Sequence, residues 1–538
     1  MKAYDFPGAG PLQTLISMSI LFLLLSIAGC SAPEDDTKLN FIIIFDDQHN
    51  SKHMGWTGQG EGIRTPHIDQ LASESVAFTN AYSSCPVCAP ARHSVYTGLY
   101  PSQHGVIHND LPLEEEIPTL MDLLAENGYT TANIGKMHFA PYNERHGFQY
   151  VLNHEFFADG AGISHFRPWL EREVENRGVE AERFPQWSKT DPQGDWLFSV
   201  NSLGFEHDIP LELTSEHWVS DNAIAFIEEQ MEQRPDQPFF LHASYFAPHH
   251  PYGVVEEYNT YDPDNMHVPP SWTAGKADAF GKAQRERRNY PAFSEEDYKH
   301  LKATYFGFIT QLDHEIGRLL DYIDSNPELA SNTVVLFLSD HGDRMGEHGM
   351  LYKGGEGAML EGSAGIPFMI RWPGQEPRIE KTPVTHIDIL PTFLAASGGI
   401  PDPDLPGMDL KPLLESEDTE SSWEERIVFS EWLSPLPFRY IMARKGKYKF
   451  IADFRQMVFP EMECILYDME ADPWELNNLA LDPAYQIVVD ELKEAVLKHY
   501  DRQKEYLPDE MPRVVPRSTW DISFPFKPWE KTEALQEL

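Results

Sequence analysis

Acids, bases and thiols gather in a few short clusters: Asp46-Asp47, CPVCAPAR at 85–92, Lys136 with His138, His249-His250, Asp340-His341 and Lys353. Adjacent carboxylates repel each other unless a divalent ion neutralises them, and their oxygens suit calcium, magnesium or manganese. Asp340-His341 adds an imidazole, which suits manganese or a transition metal better than calcium. An isolated Asp-Asp pair also serves as a turn or helix cap, but a second acidic pair in the same chain favours the metal. Cys85 and Cys88 can be a redox pair, half of a zinc site or a neighbour and a modified nucleophile. A structural zinc site wants four ligands, and there is no second cysteine pair. A thioredoxin-like motif belongs to a much smaller fold. Pro90 suits the first turn of a helix running through Arg92 and Tyr96. That places residue 88 at a helix N-terminus, which favours an anion.

These clusters are far apart in sequence, so the fold has to bring them together. Leu39 to Phe45 is a continuous apolar run, which reads as a buried strand of the kind found inside parallel sheets. The pattern recurs at Tyr129–Ile134, Pro238–Phe246 and Thr333–Leu338, and each run leads into one of the clusters. Between them, Thr65–Ala72 starts with a cap and a proline, and Tyr298–Ile323 carries apolar residues at helical spacing. Strands alternating with helices predict an α/β fold, a central and mostly parallel sheet flanked by helices. Open sheets of this kind bind ligands along their carboxyl edge. Asp46, Asp47, Lys136, His138, His249, Asp340 and His341 are expected to converge there.

Phe148 to Pro210 loses the pattern, as does Tyr252 to Pro291. Trp169, Trp187 and Trp196 in the first stretch read equally as a substrate-facing lid or as packing of an insertion onto the body. After Ser421 come two expected strands, Arg426–Leu433 and Phe438–Asp453, then ILYDMEADPWELNNLA and an amphipathic helix near Gln486–His499. The tail from Pro508 is expected to wrap the surface.

With 538 residues, 41% of them hydrophobic, the chain can bury a large domain and a smaller one. Its formal charge of −43 repels nucleic acid and anionic lipid, so any site for an anion has to be a local basic pocket. Leu15 to Gly29 is apolar, is short for a membrane span, and ends in Ile27-Ala28-Gly29-Cys30, which resembles the bacterial lipobox. The expectation is a signal peptide over 1–29 and a lipid on Cys30. The protein would then be exported to the periplasm or cell surface and touch the membrane through its anchor only. A buried N-terminal helix is the plainer alternative. Without Cys30, the remaining Cys85, Cys88 and Cys464 are an odd number, which argues against a disulfide framework.

Taken together, the motifs resemble the formylglycine-dependent sulfatases of the alkaline-phosphatase-like superfamily. Cys88-Ala89-Pro90-Ala91-Arg92 meets that family's Cys-x-Pro-x-Arg nucleophile motif, and Thr97-Gly98 and His104-Gly105 match its continuation. Asp46-Asp47, Gly135-Lys136 with His138, Pro248-His249 with Pro251, Asp340-His341-Gly342, Lys353 and Leu466-Tyr467-Asp468 follow in the family's order. The resemblance implies an alkaline-phosphatase-like catalytic domain over 30–420 and a C-terminal α+β subdomain over 421–538. It implies that a maturation enzyme oxidises Cys88 to formylglycine (3-oxoalanine), leaving Cys85 as a packing neighbour. The hydrated aldehyde then attacks sulfur, and its second hydroxyl lets the aldehyde reform as sulfate leaves.

The same resemblance implies a metal set of Asp46, Asp47, Cys88, Asp340 and His341, holding calcium with manganese or magnesium as alternatives. Arg92, Lys136 and Lys353 would hold the sulfate oxygens, His138 would assist the diol, and His249 would protonate the leaving oxygen. His250, Asn109 and His242 would line the mouth. Two departures stand out. Many relatives carry asparagine where His341 stands, and Glu361-Gly362 lacks the arginine that often follows this glutamate, which leaves the packing there open. The expected activity is hydrolysis of sulfate esters on a sulfated sugar or polysaccharide fragment. Its rivals are a phosphonate monoester hydrolase or phosphodiesterase of the same superfamily, and a glycan-binding lipoprotein without catalysis.

Overall fold

A computed structural model describes residues 38–60, 62–141, 144–154, 165–178, 204–273, 294–355, 357–415, 421–433, 440–454 and 464–507. Residues 1–37 with Cys30, Trp187, Trp196 and the tail from Pro508 lie outside the described residues. Eight strands form the central sheet: β1 (Asn40–Asp46), β2 (Val76–Phe78), β3 (Thr130–Gly135), β4 (Tyr150–Asn153), β5 (Phe239–Ser244), β6 (Thr333–Ser339), β7 (Phe368–Arg371) and β8 (Arg378–Glu380). Their order is β8-β2-β7-β6-β1-β5-β3-β4. Only β7 runs antiparallel to its neighbours.

The continuous apolar runs follow from burial on both faces. Ile42 and Ile44 of β1 point into one core, and Phe41, Ile43 and Phe45 into the other. The first core is covered by α1 (Pro66–Ser73), by α3 (Phe166–Arg177), α4 (Ser215–Gln233) and α5 (Glu295–Ser325); α2 (Cys88–Thr97) lies in the second. Ser294 opens α5 with a capping box to Asp297. Helix α3 lies in the stretch expected to be irregular. Its signal is the spacing of Phe166, Leu170 and Val174, the residues it buries, and Pro168 is tolerated because it sits in the first turn. Trp169 stacks on Phe166 with ring centroids 5.6 Å apart, so this tryptophan packs the insertion onto the body.

The C-terminal sheet is an antiparallel meander of β9 (Ile427–Trp432), β10 (Tyr440–Lys445), β11 (Tyr448–Asp453) and β12 (Cys464–Asp468), with α6 (Gln486–Gln503) packed against it. The stretch expected as a single strand over Phe438–Asp453 is two strands. Gly446, at φ 50°, makes the turn between them. Among the described residues, no helix is long and apolar enough to cross a membrane.

The packing left open at Glu361 is closed from this sheet. Lys449, fully buried on β11, places its ammonium 2.9 Å from Glu361 and 2.9 Å from Glu475. A cation supplied across the two sheets thus stands beside the glutamate. Lys449→Met leaves these carboxylates without their counter-charge, and the expected loss is about 3–5 kcal/mol, read as a lower urea midpoint.

A second ion cluster sets a pH dependence. His217 on α4 lies 3.0 Å from Glu315 and 3.4 Å from Asp221. Burial opposes its protonation, but hydrogen bonds to these acids win and raise its pKa from 6.5 to about 9. A raised histidine stabilises the fold fully below pH 6.5, and that stabilisation is lost as pH rises through about 9. His217→Gln should flatten the stability profile across that window, as measured by denaturant midpoints at a series of pH values.

Candidate active site

The four strand ends expected to carry chemistry are adjacent in the sheet, in the order β6-β1-β5-β3. Asp46 pairs in register with Ser339, and Ser244 pairs with Phe45 on one side and Gly135 on the other. Asp47, Asp340 and Lys136 therefore leave the sheet side by side. Helix α2 starts at Cys88, and the backbone amide of Ala89 in its first turn donates to Asn109 Oδ1 at 3.1 Å. Asn109 therefore caps the helix of Cys88.

Cys88 Sγ lies 3.0 Å from Lys353 Nζ, 3.2 Å from His341 Nε2 and 3.9 Å from Asp47 Oδ1. Cys85 and Cys88 are both free thiols, and they point into different environments. Cys85 packs with Tyr82, Met359 and Val428 toward the C-terminal sheet. The redox-pair reading therefore has no geometric support.

Arg92 is fully buried and ties the acids together. Its Nε donates to Asp340 at 3.0 Å and its Nη2 to Asp47 at 3.1 Å, while Nη1 donates to Ser244 Oγ and the Lys136 carbonyl. Arg92 thus positions the carboxylates. Lys136 Nζ stands 2.5 Å from Asp47, and Lys353 Nζ stands 3.9 Å from it. His249 Nε2 lies 3.9 Å from Asp47, and its Nδ1 donates to the His250 carbonyl. His250 stacks on His249 and reaches Gln48 through Nδ1. His138 is buried at a left-handed turn two residues after Lys136. His242, by contrast, lies inside the sheet, bonded to Asn133 and packed on Phe45, and does not line a mouth.

The charges divide clearly. Burial pushes Asp47 up, but the fixed cations, Lys136 first and then Lys353 and Arg92, outweigh it and hold Asp47 well below the usual carboxylate range. Burial and the charge of Asp47 push Asp340 up to about 7. Burial lowers His138, His249 and His341 far below the ordinary histidine value, with Lys136 adding to it at His138 and Lys353 at the other two. Burial and Asp47 raise the Cys88 thiol. Two fixed cations and neutral imidazoles therefore face one thiol, a setting suited to an anion.

The family model of the sulfatases matches residues 39–400. The chain belongs to the sulfatase family. Residues 346–502 also match the model of the C-terminal region of N-sulphoglucosamine sulphohydrolase. An arylsulfatase of Clostridium perfringens is 30% identical over 489 residues, covering 87% of this chain and 95% of that one. A Delta 4,5-hexuronate-2-O-sulfatase of Bacteroides thetaiotaomicron is 28% identical over 511 residues, covering 89% and 92%. The phosphonate monoester hydrolase of Agrobacterium radiobacter has the same fold, with TM-score 0.70, 24% identity and coverage of 87% and 96%. The protein is thus a sulfuric ester hydrolase with an α/β body and a C-terminal antiparallel sheet.

The donor set of this sulfatase suits a divalent cation. Asp47, Cys88, Asp340 and His341 offer ligating atoms that all lie within 4.8 Å of one another. His341 Nδ1 lies 3.0 Å from the Gly342 carbonyl, which makes it the protonated nitrogen and leaves Nε2 with its lone pair toward the thiol. Asp46 stands outside that group, because its Oδ2 is held 2.5 Å from His49 Nδ1. Its Oδ1 is buried without a hydrogen-bond partner, an orphaned acceptor that a cation would satisfy.

His49 was not singled out from the sequence. Its Nε2 lies 3.0 Å from the His53 carbonyl, so the imidazole is clamped at both ends and fixes Asp46. The only available signal was its place three residues after Asp46. Asp343 was missed too: it accepts from Gln48 and Tyr252 and so steadies the loop after β1.

Proposed function

We propose that this sulfatase hydrolyses sulfate esters of a sugar or oligosaccharide, with Cys88 converted to formylglycine as its nucleophile. The observation that carries the reading is the seat of Cys88 at the start of α2, within 3.0 Å of Lys353 and 3.2 Å of His341. Once formed, formylglycine supplies through its hydrate one hydroxyl to attack sulfur and a second whose deprotonation expels sulfate. Asp46, Asp47, Asp340 and His341 would hold a divalent cation, calcium by their oxygens or manganese by the imidazole, which supplies positive charge beside the nucleophile.

The chain's own groups do the rest. Lys136 and Lys353 bind the sulfate oxygens, and Arg92 keeps both carboxylates aimed at one point. His249 is neutral at rest with its free nitrogen at Nε2, and an anionic ester beside it favours its protonation. It then delivers that proton to the leaving oxygen as the sulfur–oxygen bond breaks. His138 takes up the proton of the second hydroxyl. The sugar reading is supported by the hexuronate sulfatase among the relatives. Export and anchoring through Cys30 belong to the same reading, supported by the lipobox-like sequence.

The test compares para-nitrophenyl sulfate with para-nitrophenyl phenylphosphonate on the mature, metal-loaded protein, followed by sulfate release from defined sulfated saccharides. A higher kcat/KM for the sulfate supports the proposal. A higher value for the phosphonate moves the reading to the rival hydrolase.

A further inference from the structure

A cavity behind Phe246 is not used by the chemistry above. It has a volume of about 90 Å³ and is lined by His154, Phe166, His207, Glu216, Phe246 and Phe308 among others. Phe246 is a wall shared with the catalytic cluster. Its ring centroid is 4.8 Å from that of His249, 6.1 Å from that of His154 and 5.1 Å from Lys136 Nζ. The cavity therefore lies one ring away from the histidine assigned to the leaving oxygen, with Phe246 between them.

Its polar groups are few, buried and in part unsatisfied. His154 and His207 are 4% and 8% exposed, and the Nδ1 of each has no hydrogen-bond partner among the described residues. Glu216, also 4% exposed, accepts from Ser215 Oγ at 2.8 Å. Native proteins rarely leave such atoms unpaired without water or a ligand to complete them. Three phenylalanine rings supply apolar faces. Aromatic faces beside a few convergent polar groups suit a ring that bears hydroxyls, because a hydroxyl can both donate and accept. The volume admits the edge of one such ring. A second sulfate or a carboxylate on that ring would meet the Glu216 carboxylate in a low-dielectric pocket, where like charges repel strongly.

We infer that the cavity lined by His154, His207 and Glu216 receives the alcohol half of the substrate and selects a sugar ring that carries no second negative charge. This rests on the sulfate-ester reading above. Glu216 and the two histidines select the substrate, and the reacting atoms stay with the Cys88 cluster.

The test measures kcat/KM of the mature, metal-loaded protein on matched sulfated hexosides: monosulfated and otherwise neutral, disulfated, and uronate. Para-nitrophenyl sulfate is run beside them. The neutral hexoside should be preferred by about tenfold or more. Glu216→Gln should shrink that preference by about tenfold, and His207→Gln should lower turnover of the neutral hexoside by a similar factor. Unfolding midpoints of both variants show which is folded, and either one alone decides the matter. A preference for the disulfated or uronate hexoside overturns the inference, as does a ratio that a folded variant leaves unchanged. Turnover of the aryl sulfate without any hexoside also overturns it while sparing the sulfatase reading. Absence of sulfate release from every probe overturns both.

Discussion

Cys88→Ala lowers kcat for sulfate-ester hydrolysis by about 10⁴- to 10⁶-fold, the range seen when a covalent nucleophile is removed. Cys88 is small and stands at the first position of α2, whose first turn is also held by Asn109 and the Val87 carbonyl. The fold should therefore survive, and circular dichroism with a thermal melt checks that it does. Cys88→Ser is the sharper variant. A serine offers an oxygen nucleophile but no second hydroxyl on the same carbon, so a sulfate accepted there has no exit. Product release should stop within one turnover, and intact mass measurement should find sulfate still attached to the protein. Sustained turnover by either variant would show that another residue attacks.

Asp47→Asn is expected to affect stability and metal binding together. Asp47 faces the buried Arg92 at 3.1 Å, the buried Lys136 at 2.5 Å and the half-buried Lys353 at 3.9 Å. Asparagine keeps the shape but removes the charge that these cations share. Breaking a buried ion pair from one side costs about 3–5 kcal/mol, because the partner charges stay desolvated. The same substitution deletes a ligand from the group formed with Asp340 and His341. Two readouts should move together: the urea midpoint falls, and the bound divalent metal measured by elemental analysis is lost. Added metal should raise the melting temperature of the wild-type protein and leave that of the variant unchanged, since a ligand stabilises only the fold that binds it.

The sheet was legible because its four central strands are buried on both faces, which makes β1 and β6 almost wholly apolar and leaves only small or hydrogen-bonded polar residues in β3 and β5. Helix α5 was legible from its apolar spacing. The turn at Gly446 was not, since apolar and basic residues run through it on both sides. Helix α3 hid in a polar stretch because only Phe166, Leu170 and Val174 face inward. Among site residues, those in ordered motifs could be placed at strand ends. What each one touches depends on tertiary approach and could not be read. Arg92 tying two carboxylates and Lys449 meeting Glu361 arise from contacts between distant elements, Asn109 caps α2 from the loop beyond it, and His49 clamps Asp46 through the turn after β1.

The buried Lys136, the half-buried Lys353, three buried acids and an imidazole would act on a sulfate ester, on the reading above, once the carbon that bears the Cys88 sulfur has become an aldehyde. Mass spectrometry of the proteolytic peptide spanning residue 88, taken from active protein, tests this most directly. The expected peptide is lighter than its cysteine form, since thiol oxidation to sulfenic or higher acids would instead make it heavier. Full sulfate-ester turnover by protein whose Cys88 is an unmodified thiol would contradict the account.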